Sequence, residues 1–191
     1  MVRTDAGEGN PDDLDRIADA SGAIRENWQR TIEDARAMAA DREEDGFETL
    51  ILPAGDTTPK SPDDPDAPGD DEWGLSCVLP GNKADAFEEV AGDATFDETA
   101  VYQNAEAGTV FIVTECLDLD ASLSVLVAGT YRMRFAPDLV RTALKQDRMY
   151  THLKRLDGTP VATVEHDDSD AFFPAPEAFY AYETDGMYGH E

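Results

Sequence analysis

Acidic side chains interrupt this sequence almost everywhere, and the place where they stop is the place where a core can form. Every successive block of ten residues holds at least one Asp or Glu except Ala121–Thr130. Within and around that stretch, Leu123, Val125, Val127, Gly129, Tyr131, Met133 and Phe135 alternate along one face of an extended segment. Leu126 and Ala128 make the opposite face apolar as well. A strand apolar on both faces belongs in the middle of a sheet with both sides covered. Residues 122–135 are therefore expected to form a central strand.

Two more strands precede it, Phe96–Asn104 and Thr109–Leu117, separated by the short turns Ala105–Gly108 and Asp118–Ala121. Connections this short join antiparallel neighbours. Further strands are read at Phe47–Leu52 and Trp73–Leu79, and a hairpin at Met149–Leu156 and Val161–His166 around Asp157-Gly158. If Leu156 lies opposite Val161, then His152 faces Glu165 and Thr151 faces His166, so the two imidazoles point to opposite faces. A His–Glu pair with Asp167 or Asp168 would then be a candidate metal site, against the alternative of a surface ion pair.

Helices punctuate these strands. Asn10-Pro11-Asp12-Asp13 supplies a cap, a first-turn proline and acids at the positive helix end. Leu14, Ile17, Ser21, Ile24, Trp28, Thr31, Ala35 and Met38 follow at alternating spacings of three and four, and Gly46 marks the stop. Ser21-Gly22 is a possible kink. Several of these positions are small or polar, which predicts packing on the chain's own sheet, with Trp28 buried, rather than a self-associating seam. Shorter helices are expected at Lys83–Val90 and after Pro137. The fold class is α+β: a long N-terminal amphipathic helix, a mostly antiparallel twisted sheet and two shorter helices. The organisation expected is a disordered 1–10, a single domain over 11–170, and an aromatic tail over 171–191. That tail either docks over the sheet or presents a surface to a partner. Inside the domain, 53–72 carries five prolines and many aspartates and reads as a flexible acidic loop.

The charge bounds the function. Asp and Glu number 42 against 15 Lys and Arg, a formal net charge of -27. Spread along the chain rather than gathered in a tail, it disfavours nucleic acid as a partner. Only Lys60, Lys83, Lys145 and Lys154 are lysines, alanine is abundant and isoleucine scarce. In these respects the whole chain resembles small uncharacterised, conserved-hypothetical haloarchaeal proteins that live in concentrated salt. The resemblance implies a cytoplasmic protein and brings with it no activity and no site residues. No long apolar run predicts a membrane span, and no basic segment with a following apolar stretch predicts a leader. Cys77 and Cys116 fit no metal spacing and read as buried thiols.

No nucleophile elbow, phosphate loop, dinucleotide fingerprint or HExxH helix is present, and no cofactor is expected. An EF-hand counted from Asp64 fails at Pro68 and at Leu75. The one local departure is positive. Arg132, Arg134, Arg141, Lys145, Arg148, Lys154 and Arg155 face only two acids, Asp138 and Asp147, within the span 132–155. Arg132 and Arg134 would share a strand face, and Arg141, Lys145 and Arg148 one helix stripe. Arg132, Arg134, Arg141, Lys145 and Arg148 are thus the candidate anion-binding set, unless they pair with the chain's own acids. Two function classes follow. One is a non-catalytic binding or assembly module whose partner is another protein or a second copy. The other is a small enzyme or sensor for an anionic, phosphorylated metabolite.

A surface at -27 repels itself, and at 1 M salt the Debye length of roughly 3 Å removes that repulsion. The melting temperature followed by circular dichroism is therefore expected to rise steeply between dilute buffer and molar KCl; a flat or falling curve would refute the salt requirement.

Overall fold

A computed structural model of the chain describes residues 11–64 and 72–188, with side chains over 21–64 and 72–183. The expectations for 1–10, for most of the acidic stretch 65–71, and for the side chains of Leu14, Ile17 and Tyr188 lie outside the described residues. Helix α1 spans Pro11–Glu44 without a break at Ser21-Gly22, and the chain turns away at Gly46, whose φ of 91° suits only glycine.

The fold is α+β, and the described strands form two mixed sheets of four rather than a single sheet, with four of the six strand pairings antiparallel. The first contains β1 (Glu48–Pro53), β4 (Glu98–Glu106), β5 (Thr109–Asp118) and β6 (Leu123–Arg132), in the order β1-β6-β5-β4. The meander β4-β5-β6 is antiparallel, and β1 runs parallel to β6. The second contains β2 (Asp56–Lys60), β3 (Gly74–Leu79), β7 (Met149–Arg155) and β8 (Pro160–His166), in the order β2-β3-β7-β8, with β3 parallel to β7. The chain passes from one sheet to the other within two residues. The Ala54 N–H donates to Ala128 O in the first sheet at 2.8 Å, and the next N–H, of Gly55, donates to Val78 O in the second at 2.8 Å.

Strand β2 lies inside the stretch expected to be an unbroken loop. Its proline and aspartate hid it, yet Pro59 is tolerated because β2 is an edge strand whose one paired neighbour is β3. As expected of a strand apolar on both faces, β6 is interior, flanked by β1 and β5. Its outer face, with Leu126 and Ala128, receives α1 through Ala35 and Ala39. The helix rests on the four-residue row Asn27, Thr31, Ala35 and Ala39, whose short side chains let it approach the strands. Trp28 flanks that row half-buried, and Ile24 is exposed, so the contact stripe is narrower and more polar than the heptad reading implied.

The inner face of β6 meets the second sheet. At one end Leu123, Val125 and Val127 pack with Cys77, Leu79 and Leu153 beneath helix α2 (Gly81–Ala91). At the other end Tyr131 and Met133 pack with Trp73, Leu75 and Met149, closed by α3 (Pro137–Gln146), α4 (Ser169–Phe172) and α5 (Pro176–Tyr188). Phe172, Phe173 and Phe179 of the aromatic tail are buried there. Between the two ends lies Gly129. A Cβ on it would stand 2.4 Å from Thr57 Oγ1 of β2, so the sheets approach at a distance only glycine permits. No helix among the described residues is long and apolar enough to cross a membrane.

Gly129→Val should therefore push β2 off β6 and destabilise the fold by about 3 kcal/mol or more. Denaturant unfolding in molar KCl measures this, and a loss below about 1 kcal/mol would show that the sheets are not in such contact.

Candidate binding cleft

Strand β1 stops pairing at Pro53, opposite Ala128, whereas β6 continues to Arg132. The backbone direction of that remaining stretch follows from two bonds. Ala128 O accepts from Ala54 N on the β1 side, and the Met133 N–H donates to Gly108 O at 2.9 Å on the β5 side. Peptide groups alternate sides along a strand, so the N–H and C=O of Thr130 and Arg132 face the side that β1 has left. A cleft of about 380 Å³ opens against this free edge.

Its walls come from elements far apart in sequence. Ile24 of α1 closes one side of the sheet, Thr57, Thr58 and Pro59 of β2 the other, and Phe135 the end. Thr109 and Thr130 add hydroxyls, and Arg132 and Asp56 are the charged residues of the lining. Phe135 is 60% exposed and Ile24 40%, which leaves apolar surface at the mouth. Tyr131 also contributes to the lining, and its buried hydroxyl has no hydrogen-bond partner among the described residues. Burial pushes its pKa up, so it stays protonated.

The basic span does not act as one surface. Arg132 reaches the cleft and has no carboxylate within ion-pair distance among the described residues. Arg134 is not beside it on the strand, as the alternation implied. The chain leaves β6 in a 3-10 turn over Met133–Phe135, which swings Arg134 over the Phe135 ring at 4.6 Å. Arg141 is held by Glu183 of α5, lies 3.4 Å from Asp138, and stacks on Tyr180 at 4.8 Å. Arg148 meets Glu165 at 3.1 Å, and Arg155 meets Asp85 at 2.7 Å and Glu88 at 3.1 Å. Lys145 is exposed near the end of α3, without an ion pair among the described residues. Internal neutralisation thus accounts for Arg141, Arg148 and Arg155, and the cleft takes only Arg132, with Arg134 beside its aromatic end.

The histidines stand elsewhere. His152 faces Thr163, not Glu165, because the hairpin register differs by two residues and bulges at Leu153/Lys154. Its Nε2–H donates to Trp73 O at 2.8 Å and its Nδ1 accepts from Thr163 at 2.9 Å. Glu165 is engaged by Arg148 instead. His166, on the opposite face, spans the two sheets: Nδ1 lies 2.7 Å from Thr99 Oγ1 of β4, and Nε2 lies 2.8 Å from Thr151 Oγ1 of β7. Among the described residues no three His, Cys, Asp or Glu side chains are placed to hold a metal ion. Cys77 and Cys116 are free, buried thiols, and burial pushes them up to about 11 and about 12.

Sequence reasoning missed Thr57, Thr130 and Phe135 as lining residues, and it missed one buried charge. Glu115 is 1% exposed on the outer face of β5, where Arg42 of α1 grips both its oxygens at 2.8 and 2.9 Å and Ser124 donates at 2.8 Å. Its signal was available, since it is the only charged residue in the run Thr109–Leu117.

Residues 14–174 match the model of a family of unknown function, DUF7529. No curated protein and no solved structure matches the chain.

Burial, with a lesser push from His152, lowers His166 from 6.5 to about 4. Between those values the unfolded chain binds the proton and the folded chain does not. Stability from His166 is thus complete above pH 6.5 and falls by about 3 kcal/mol as the pH drops towards 4. The wild type should lose that much more than His166→Asn across the same window, measured by denaturant unfolding in molar KCl. Parallel losses in the two proteins would rule the histidine out.

Proposed function

The chain belongs to the DUF7529 family, and we propose that it is a non-catalytic binding module of haloarchaeal, salt-adapted type, working in the cytoplasm, whose ligand enters the cleft beside β6. One observation carries this reading. Among the described residues the cleft combines strand-edge peptide groups without a ladder partner, hydroxyls, one guanidinium without an ion pair and exposed apolar residues at its mouth. That mixture is suited to recognition, because polar groups fix orientation while apolar walls supply contact area. The lining provides no His, Cys or Lys, so acid–base work would fall to Asp56, which is exposed and whose Oδ2 accepts from Thr58 at 3.2 Å. The net charge of -27 supports both the salt-adapted reading and the disfavouring of nucleic acid.

The second reading, an enzyme or sensor for a phosphorylated metabolite, draws on Arg132 and Arg134, neither of which has a carboxylate partner among the described residues. It is weaker because Arg141 and Arg148, two of the further cations it would enlist, are already engaged by acids, and the third, Lys145, does not line the cleft.

The two separate in a titration of isotope-labelled protein in molar KCl with nucleotides, phosphosugars and short peptides. Amide shifts at Thr57, Thr130, Arg132 and Phe135 are expected with peptides and without turnover. Saturable shifts with a phosphorylated compound, lost in Arg132→Ala, would favour the second reading, and silence of these amides towards every compound would retire the cleft.

A further inference from the structure

We propose that the cleft receives an extended peptide segment bearing carboxylates, which adds to β6 as a strand in the line that β1 vacates. This rests on the binding-module reading and names the chemistry of its partner. Three features of the cleft converge on it.

The first is the set of unused peptide groups. Thr130 and Arg132 present two N–H and two C=O groups to the cleft, and no backbone bond to them is made from that side among the described residues. A bare edge of this kind is the template on which an incoming strand forms its ladder. The free stretch Gly129–Arg132 is four residues, about 13 Å of strand, and β1 already fixes the path that an added strand would continue.

The second is the pair of walls. An extended segment projects alternate side chains to opposite faces of the sheet. In this cleft one face offers Ile24 and the other Thr57 and Pro59. Both faces of an added strand therefore have a surface to rest on. A free phosphate would use neither wall, and it would meet a single guanidinium in the lining.

The third is the charge. This chain carries 42 acids against 15 basic residues, and Arg141, Arg148 and Arg155 each hold one or two of those acids. Among the described residues Arg132 is left exposed without one. The Arg134 guanidinium, also without one among the described residues, lies on the Phe135 ring. An incoming carboxylate at the Arg132 end completes the pair bidentately. Asp56 is the one acid in the lining, and it disfavours a second carboxylate at the β2 end. The recognised segment is therefore acidic at one end of the slot and β-branched or neutral at the other.

The probe is a pooled library of acetylated hexapeptides with β-branched residues at alternate positions and Asp or Glu between them. It is passed over the immobilised full chain in molar KCl, beside a matched library carrying Lys in place of the acids. The acidic library should be retained and the Lys library not. The best-retained peptide should slow hydrogen exchange at the Thr130 and Arg132 amides. Methylating its backbone nitrogens at alternate positions should weaken it about tenfold or more, since that removes ladder donors and keeps every charge. Two variants read the protein side. Arg132→Gln removes the carboxylate partner. Thr130→Pro removes a donor that faces the cleft and makes no bond to β5, so the ladder to β5 survives. Each should weaken binding about tenfold. If Thr130→Pro fails to fold, the methylated peptide alone decides the strand geometry. Equal retention of both libraries, or equal binding of the methylated peptide, overturns the proposal. If the peptides fail while phosphate or a metabolite shifts the same amides, this inference falls and the cleft remains a binding site. If sedimentation shows a dimer that Thr130→Pro dissolves, the occupant is a second copy and the proposal falls in that form.

Discussion

Thr57 of β2 sits against the bare backbone of Gly129 at the centre of β6, and the architecture is organised around that point. It sets the separation of the two sheets. It divides the inner core into an end closed by α2 and an end closed by α3, α4 and α5. It also places β2 as one wall of the cleft, since the residues that follow Thr57 line the space beside the free part of β6. A larger residue at 129 would shift all three at once, which is why one missing side chain carries so much of the design.

What could be read from the sequence was local. The meander, the interior position of β6, the helix starts at Pro11 and Pro137 and the turn at Gly158 all rest on periodicity and turn chemistry within a few residues. What could not be read was long-range. Glu48 pairs with Leu123, and Leu75 with Thr151, and no pattern near either residue announces its parallel partner, so two sheets looked like one. Strand β2 was hidden because Pro59 argues against a strand unless its edge position is already known. The bulge at Leu153/Lys154 moved His152 from Glu165 to Thr163. Of the proposed anion site, Arg132 was placed at the cleft, whereas Arg134 left the strand through a 3-10 turn. Arg141 and Arg148 met acids on α5 and β8, elements whose proximity the basic span itself does not encode.

Among the described residues the buried carboxylates, Glu115 and Asp118, are both engaged. Glu115 is covered by α1 and bonded by Arg42 and Ser124. Such a pair adds little net stability over an apolar replacement, but losing one partner would strand a charge in the core. Its effect is to fix where along the sheet α1 may lie. A row of Thr31, Ala35 and Ala39 would by itself allow the helix to slide by a turn. His166 acts similarly between β4 and β7, as a neutral ring whose two nitrogens are both occupied.

The parallel pairing of β1 with β6 has a consequence for how the chain is made. When β1 leaves the ribosome, β6, its one ladder partner among the described residues, is about 75 residues away and still unsynthesised, and β3 waits as long for β7. At usual synthesis rates this interval is roughly 4 to 15 s. During it Leu50-Ile51-Leu52 has no ladder partner, and Leu75 to Leu79, with β2 alone beside it, keeps one edge open, the condition in which strands of neighbouring chains join. The acids that flank them, Glu43, Glu44, Asp45 and Glu48 before one and Asp70, Asp71 and Glu72 before the other, give every nascent copy the same sign of charge there. The acidity that burdens the finished fold thus also acts as a kinetic guard on the unfinished one, because joining identical chains edge to edge beside these carboxylates would strip water from them, a cost that salt does not screen.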